Sequence, residues 1–460
     1  MSNMDDTTLS KLTAFLSSHP SIEHTTPSSP SFSSRSAVFT NPANTTPSAI
    51  LRPSTAEDVA ATVGFLSTNA IDFTVRNGGH DMWGRGIKSD AVILDMRSLN
   101  HVKLDGASMT AQIAGGALQG DVVSTLQKDG FITPVGTIAT VGYVGWAMYG
   151  GYGPYSPLFG LGVDQIVAAK VVDGKGKLVK TDEELLKAIK GGGGAFGVVT
   201  ELTVRVYKLD KIFAGAIMFN SEDLRTTIRE YGRGYEALKA QGNGIPAQLS
   251  LQQSVIKLPN PTFAVLFVWA SSDIETGKQW LEKISNLAPL TVTTVQPTTP
   301  TTWLEDAAKF VPTTTQGGVY TINVKKITEE VADIMADYAI NIPSDPHTFW
   351  GVHEVRAGTV SAQEKKDSVF AARDGHYLFE ILAIAEKREN LDDIFEWGAK
   401  FQQALLGTEK QNIVTASYLS FLQKKEVDHE KIFGKNLEFL RRVKGKIDPE
   451  GVFGNAISYL

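Results

Sequence analysis

RNGGHDMWGRG (76–86), GTIATVGYVGWAMYGGYGPYSPLFGLG (136–162) and GGGGAFG (191–197) are the stretches that decide how this chain reads. Strand-like runs adjoin them, with IDFTV (71–75) before the first and VVTELTVRVYKL (198–209) after the third. Any one block alone reads as a tight turn. Three within about 120 residues favour a main chain that approaches a phosphate-bearing ligand, since glycine offers N–H groups with no Cβ in the way. Gly192-x-Gly194-x-x-Gly197 satisfies the dinucleotide fingerprint as a string. Its context is reversed, with a helix before it and a strand after, so it is not a Rossmann site. The chain has no GxxxxGK[ST], no GxSxG and no HExxH, and its histidines lack metal-ligand spacing, so no metal is expected.

Around these blocks lies an ordinary globular composition. The chain has 460 residues, 44 Lys+Arg against 50 Asp+Glu, a net charge of −6 and no cysteine. Length predicts two or three domains and a core able to enclose a sizeable ligand. Lack of cysteine excludes disulfides, thiolate metal sites, iron–sulfur clusters and thiol nucleophiles. A mildly acidic chain does not point to nucleic acid or an anionic membrane as partner. The beginning, MSNMDDTTLSKLTAFLSSHP, is acidic and polar where a signal peptide is basic and then apolar. The apolar run FAVLFVWA (263–270) has the length of a buried strand, far short of a spanning helix. These features predict an intracellular, cytoplasmic protein.

Residues 21–50, rich in Ser, Thr and Pro, read as a linker on composition. Ser54-Thr-Ala-Glu57 reads as a capping box, followed by a helix with an apolar stripe at Val59, Val63 and Leu66. AVILDM (91–96) is strand-like, and Asn100 to Ala114 reads as a hairpin. Asp173-Gly-Lys-Gly176 reads as a hairpin turn, and TDEELLKAIK (181–190) as a capped helix. Beyond about residue 210, strands such as HYLFEILAIA alternate with helical stretches such as ITEEVADIMADYA. The Thr/Pro patch 291–302 reads as a loop, and HEKIFGKNLEFLRRVKGKI as one helix stopped by Asp448-Pro449. The chain is predicted to be α+β with at least two domains.

At the glycine blocks the sequence resembles the berberine-bridge-enzyme-like branch of the vanillyl-alcohol-oxidase flavoprotein superfamily. Arg76 to His80 is similar to that family's R-S-G-G-H. Gly136 to Gly142, with Gly150 to Gly153 and Phe159 to Asp164, is similar to its second flavin segment. Ala188 to Thr200 resembles A-I-R-G-G-G-x-F-G-V-V-T, and Asn436 to Phe453 resembles N-x-x-R-L-x-x-V-K-x-x-Y-D-P-x-N-x-F. The resemblance implies an FAD domain built from residues 1–209 and the returning segment 422–460. Residues 210–421 would form an inserted substrate domain, an antiparallel sheet covered by helices. Residues 31–50 would then be ordered chain packed on the FAD domain.

The same resemblance implies the cofactor's contacts. In the first loop they are Arg76, Asn77, Gly78, Gly79, Asp81 and Gly84, with His80 bonded covalently to the 8α carbon of FAD. In the second segment they are Gly136, Thr137, Ile138, Gly142, Trp146, Gly150 and Gly153. Val199, Phe453 and Asn455 complete the set. For His80, the alternative is a loop histidine hydrogen-bonded to its neighbours. Many relatives carry a second tether, a cysteine in G-x-C-x-x-V-G; that position is Ile138, so a single histidyl link is expected.

Catalytic residues are less defined. Relatives often carry N-Y-x-D where this chain has Ser420-Phe421-Leu-Gln423, so Tyr418 is the available phenol, with a buried structural tyrosine as the alternative. In HYLFEILAIA, His376 and Glu380 share one face, and either is a candidate general base if that face looks at the flavin. The substrate domain also offers His347, His353-Glu354, Arg356 and Arg373. The function implied is an FAD-dependent oxidase that takes a hydride from a medium-sized, largely apolar or aromatic metabolite and passes electrons to dioxygen. A flavin dehydrogenase, or a cyclase on the same scaffold without net use of dioxygen, stays open.

Overall fold

The computed structural model describes residues 6–42, 44–258, 260–356, 359–360 and 367–460. Its first lobe holds two sheets. Ala49–Arg52, Val92–Asp95 and Phe73–Arg76 lie side by side in parallel, and Glu23–Thr25 is added antiparallel at the edge. Parallel neighbours need a crossover, and helix Ala56–Thr68 supplies it between Ala49–Arg52 and Phe73–Arg76. Thr55, one residue after the expected Ser54, caps this helix: its side chain accepts from the Asp58 N–H at 3.0 Å. Val59, Val63 and Leu66 are fully buried beneath the sheet, as their spacing predicted.

A second, five-stranded antiparallel sheet runs in the order Val102–Asp105, Thr110–Ala114, Val198–Arg205, Ile166–Val172, Leu178–Lys180. The expected hairpins at 100–114 and across Asp173–Gly176 are both present. Residues 21–50 are not a linker. They carry strand Glu23–Thr25 and helix Phe32–Ser36, and carbonyls of this stretch are bonded from the core.

The second lobe is built on an eight-stranded sheet. Its path is Leu290–Thr293, Ile212–Phe219, Asn260–Trp269, Leu249–Leu258, Phe349–Val355, His376–Ala385, Gln316–Val324, with Gln296–Thr298 also on Ile212–Phe219. Every pairing is antiparallel, so alternate residues sort cleanly onto two faces. One face, including Phe263, Phe267, Trp350, Tyr377 and Phe379, packs with helices Leu224–Ala240, Glu329–Ile340 and Leu391–Leu406. The other face meets the first lobe, where Ala214, Val268, Val355 and Leu378 join the core of the second glycine segment.

Two expectations are corrected. The Thr/Pro patch 291–302 forms edge strands Leu290–Thr293 and Gln296–Thr298 and the start of helix Pro300–Ala308, because alternating β-branched residues suit an edge and Pro297 needs no ladder donor there. The C-terminal helix is broken into His429–Phe433 and Leu437–Ile447 by Gly434, whose φ of +49° is left-handed. Asp448 then accepts from the Val452 and Phe453 N–H groups at 2.9 and 3.0 Å, turning the chain back onto the first lobe.

Candidate active site

The first two glycine blocks form adjoining loops between the lobes. Gly78 lies directly against Gly142, so close that a Cβ on either would collide with the other's backbone. Among the described residues, no protein acceptor takes the N–H groups of Gly78, Gly79, His80, Thr137, Ile138, Ala139 or Thr140. Consecutive unpaired N–H groups on two touching loops make a cradle for an anion, and the missing Cβ atoms let a pyrophosphate approach the main chain.

Braces beneath the loops hold them in place. The Arg76 guanidinium, 1% exposed, is turned inward to Asp95 at 2.8 Å and to the Arg35 carbonyl at 2.5 Å. Arg97 donates to the Gly78 carbonyl at 2.7 Å, and Asn77 donates its amide to the Gly115 carbonyl. Asp81 receives the Trp83 and Arg85 N–H groups at 3.0 and 2.9 Å and pairs with the Arg85 guanidinium. Arg85 in turn donates to the carbonyls of Ser420 and Leu422, both at 2.9 Å, while the Trp83 indole donates to that of Phe421 at 2.8 Å. Sequence reasoning overlooked Trp83, Arg85 and Arg97, which carry no motif.

His80 stands at the end of the first loop. Its ring stacks on Phe39 at 4.5 Å, and its Nε2 lies 2.8 Å from the Thr140 hydroxyl on the second loop. Burial and the Arg97 cation push the imidazole down to about 4, so it is neutral at physiological pH. Trp146 fills the space over Gly162 and donates to the Tyr152 carbonyl at 3.2 Å. Gly136 offers its N–H to Gln119, Gly150 packs on Phe370, Gly153 is pressed against the Val135 carbonyl and Gly84 against Pro42.

Three further residues expected at the cofactor have side chains that make contacts within the protein. Phe453 is buried in the core against Phe73. The Asn455 amide ties down Asp72 and the Phe73 carbonyl at 2.6 and 2.8 Å. Val199 packs inside, with its carbonyl against Gly115.

Facing the loops is a cavity whose walls include Thr137, Tyr152, Gln252, Leu266, Trp303 and His353. His353 and Glu354, neighbours in sequence, lie on opposite faces of their strand. His353 faces the cavity; its Nε2 is 3.0 Å from Glu380 and 3.1 Å from the Gln252 amide. Glu354 faces the helices, ion-paired to Lys239 and Arg356 at 3.0 and 2.9 Å, and these cations outweigh burial and hold its carboxyl below the usual range. The lobe-facing side thus carries both His376 and Glu380, as the alternation predicted. His376 is 2% exposed and uses both ring nitrogens, Nε2 with the Tyr152 hydroxyl at 3.2 Å and Nδ1 with the Asp374 carbonyl at 2.7 Å.

Tyr418 is not in a strand; it precedes the 3-10 turn Leu419–Phe421, wedged edge-on between Tyr152 at 4.9 Å and Phe421 at 4.8 Å. Burial, with the charge of Glu380 adding to it, pushes its phenol up to about 12. Burial likewise raises Tyr152. Both phenols therefore stay protonated near pH 7 and serve as donors.

A glycine-loop anion cradle beside a cavity of mixed polar and apolar lining suits a phosphate-bearing cofactor. Comparison with known proteins narrows it. Family models described as FAD binding domain and as berberine and berberine like match residues 47–182 and 417–458. The chain is 30% identical over 452 residues to the FAD-linked oxidoreductase aurO of Gibberella zeae, covering 96% of this chain and 87% of that one. Its fold matches 6-hydroxy-D-nicotine oxidase of Arthrobacter nicotinovorans with a TM-score of 0.81 and 22% identity, covering 95% and 97% of the two chains. It also matches glucooligosaccharide oxidase of Acremonium strictum, which carries a 6-S-cysteinyl, 8α-N1-histidyl FAD, with a TM-score of 0.82 and 20% identity over 98% and 99%. The chain belongs to the berberine-bridge-enzyme-like family of FAD-linked oxidoreductases.

Proposed function

We propose that this protein is an FAD-dependent oxidase, with His353 as the base that takes the substrate's proton and Glu380 as the group that orients it. The His353–Glu380 pair, at 3.0 Å on the wall of the cavity, is the observation that carries this reading. If Nε2–H donates to the Glu380 carboxylate, Nδ1 keeps its lone pair for an O–H or N–H of the substrate. The pair is partly accessible, each side chain 17% exposed, as a base that meets a ligand requires. The carboxylate stabilises the imidazolium that forms when His353 is protonated. Tyr418, held protonated, acts as a donor rather than removing a proton, while Tyr152 gives its O–H to His376. Apolar walls from Leu266, Val268 and Trp303 suit a medium-sized, largely apolar or aromatic metabolite.

FAD, when bound, supplies the two-electron acceptor for the substrate's hydride and the site at which dioxygen is reduced to hydrogen peroxide. The N–H groups of 78–80 and 137–140 would hold its pyrophosphate and ring edge. His80 would provide the covalent link, the only one open to a chain without cysteine and with Ile138 at the second position.

Two measurements on the purified holoprotein test this. Anaerobic bleaching of the flavin and aerobic oxygen uptake are followed across a panel of alcohols, amines and phenolic metabolites. Bleaching with matching oxygen uptake is expected. Bleaching without oxygen uptake makes the protein a dehydrogenase, and turnover with neither makes it a cyclase. With a substrate in hand, His353→Asn is expected to lower kcat by about 100-fold or more, and Glu380→Gln by less, since it acts through the histidine. Unchanged kcat in His353→Asn would remove the base assignment.

A further inference from the structure

We infer that Thr140 sets the tautomer of His80 for flavin attachment, accepting Nε2–H so that Nδ1 is the free nucleophile and receiving the proton that the ring gives up. This deepens the single-tether reading above and rests on it. Thr140 sits on the second glycine loop and His80 on the first, yet the hydroxyl is 2.8 Å from Nε2 across the junction where Gly78 touches Gly142. Among the described residues, Nε2 has this one protein partner and Nδ1 has none. Phe39, stacked on one face of the imidazole, fixes the plane of the ring, so the two nitrogens cannot exchange places freely.

The tautomer follows from what attachment demands. A neutral imidazole has one N–H and one lone pair, and only the nitrogen with the lone pair attacks carbon. Were Thr140 to donate to Nε2, Nδ1 would hold the hydrogen and Nε2's lone pair would be occupied, leaving no nucleophile. With Nε2–H donating to the Thr140 oxygen, Nδ1 is free to react. Burial and Arg97 keep the ring unprotonated, as attack requires.

The balance is simple. A bond forms between Nδ1 and the 8α carbon, one C–H of that methyl breaks with its proton passing to water, and the Nε2–H proton leaves through the Thr140 hydroxyl; these two protons balance the two taken up when dioxygen becomes hydrogen peroxide. Thr140 is exposed, so that proton has water beyond it. The electron pair of the broken C–H bond reduces the flavin ring, and dioxygen reoxidises it, giving hydrogen peroxide. Thr140 is a positioning residue in this step; His80 is the group that bonds the cofactor.

The test compares wild type with Thr140→Ala, Thr140→Ser and His80→Ala, each purified and loaded with FAD. Total flavin, acid-precipitable flavin and melting temperature are measured, and the flavin-bearing peptide is isolated to establish which ring nitrogen is substituted. We expect wild type to be linked through Nδ1. Thr140→Ala should bind FAD and melt as wild type does, but attach it roughly tenfold more slowly or worse, with Thr140→Ser restoring the rate. A link through Nε2, or unchanged attachment in Thr140→Ala, overturns the role of Thr140 and leaves the tether intact. Wild type without acid-stable flavin, or His80→Ala with it, overturns the tether itself and the role of Thr140 with it.

Discussion

His376 shows how far a residue's neighbours decide its part. On the sequence it is a candidate base, since it shares a face with Glu380. In the fold it is enclosed, its Nδ1–H given to the Asp374 carbonyl and its Nε2 receiving the Tyr152 hydroxyl. Burial depresses its pKa, with the Asp374 contacts opposing. The unfolded chain, whose histidine titrates near about 6.5, therefore binds the extra proton first as pH falls. Stability from this group is complete above about 6.5 and is lost as pH drops toward the folded value. We expect the melting temperature of wild type to fall below pH 6.5 more steeply than that of His376→Gln. Parallel curves for the two proteins would contradict it. The same lesson holds for Arg76, which stands in the first motif, and for Asn455, just past the last one; the side chains of both brace the fold. A motif string reports which residue stands at a place, not which way it points.

At the scale of elements, the decisive contacts are between segments far apart in sequence. The carbonyls in and beside the turn Leu419–Phe421 are taken by Trp83 and Arg85 from the first glycine block. That pairing has no sequence signature, because the acceptors are backbone groups that any residue supplies. The proposed His353–Glu380 pair, with Gln252 beside it, is hidden for a related reason. Gln252 faces His353 across one strand pairing, and Glu380 faces Gly351 across the next. Alternation predicts which residues share a face, but register alone decides which of them meet. Gly351 matters here, since a side chain on it would crowd the Gln252 amide at 3.2 Å. Replacing Arg85 by Met would leave the Asp81 carboxylate without its cation, half-buried beside the cofactor loop. We expect a loss of about 3 kcal/mol in denaturant unfolding together with weakened FAD retention. Full retention of flavin in Arg85→Met would separate the loop from its brace.

For the whole molecule, much of the plan was legible and the reason is physical. Glycine blocks mark places where backbone must touch backbone or ligand, and such places keep their identity whatever surrounds them. The change of character near residue 210 corresponds to the start of the large sheet at Ile212. What could not be read was the course of the irregular chain. Residues 21–50 look like a linker because their composition is polar, yet the Arg76 guanidinium reaches up from the core to the carbonyls of Arg35 and Ala37 within them. Among the described residues no helix is long and apolar enough to cross a membrane.

The bonds from Trp83 and Arg85 to residues 420–422, and from Asn455 to Asp72 and Phe73, also set an order in time. A ribosome makes the cradle's loops, residues 76–142, before their braces at residues 420–455. Until that later segment has left the exit tunnel, the first loop has neither its ceiling nor its outer strap, so the nascent chain has no finished place for FAD. Cofactor capture is thereby deferred until that segment has emerged. We expect chains stalled on the ribosome after residue 414 to emerge without acid-stable flavin, and full-length chains released into the same FAD-containing mixture to acquire it. Flavin on the stalled chain would show that the cradle closes without its last segment. A chain that stops short of residues 420–455 is expected to stay without flavin.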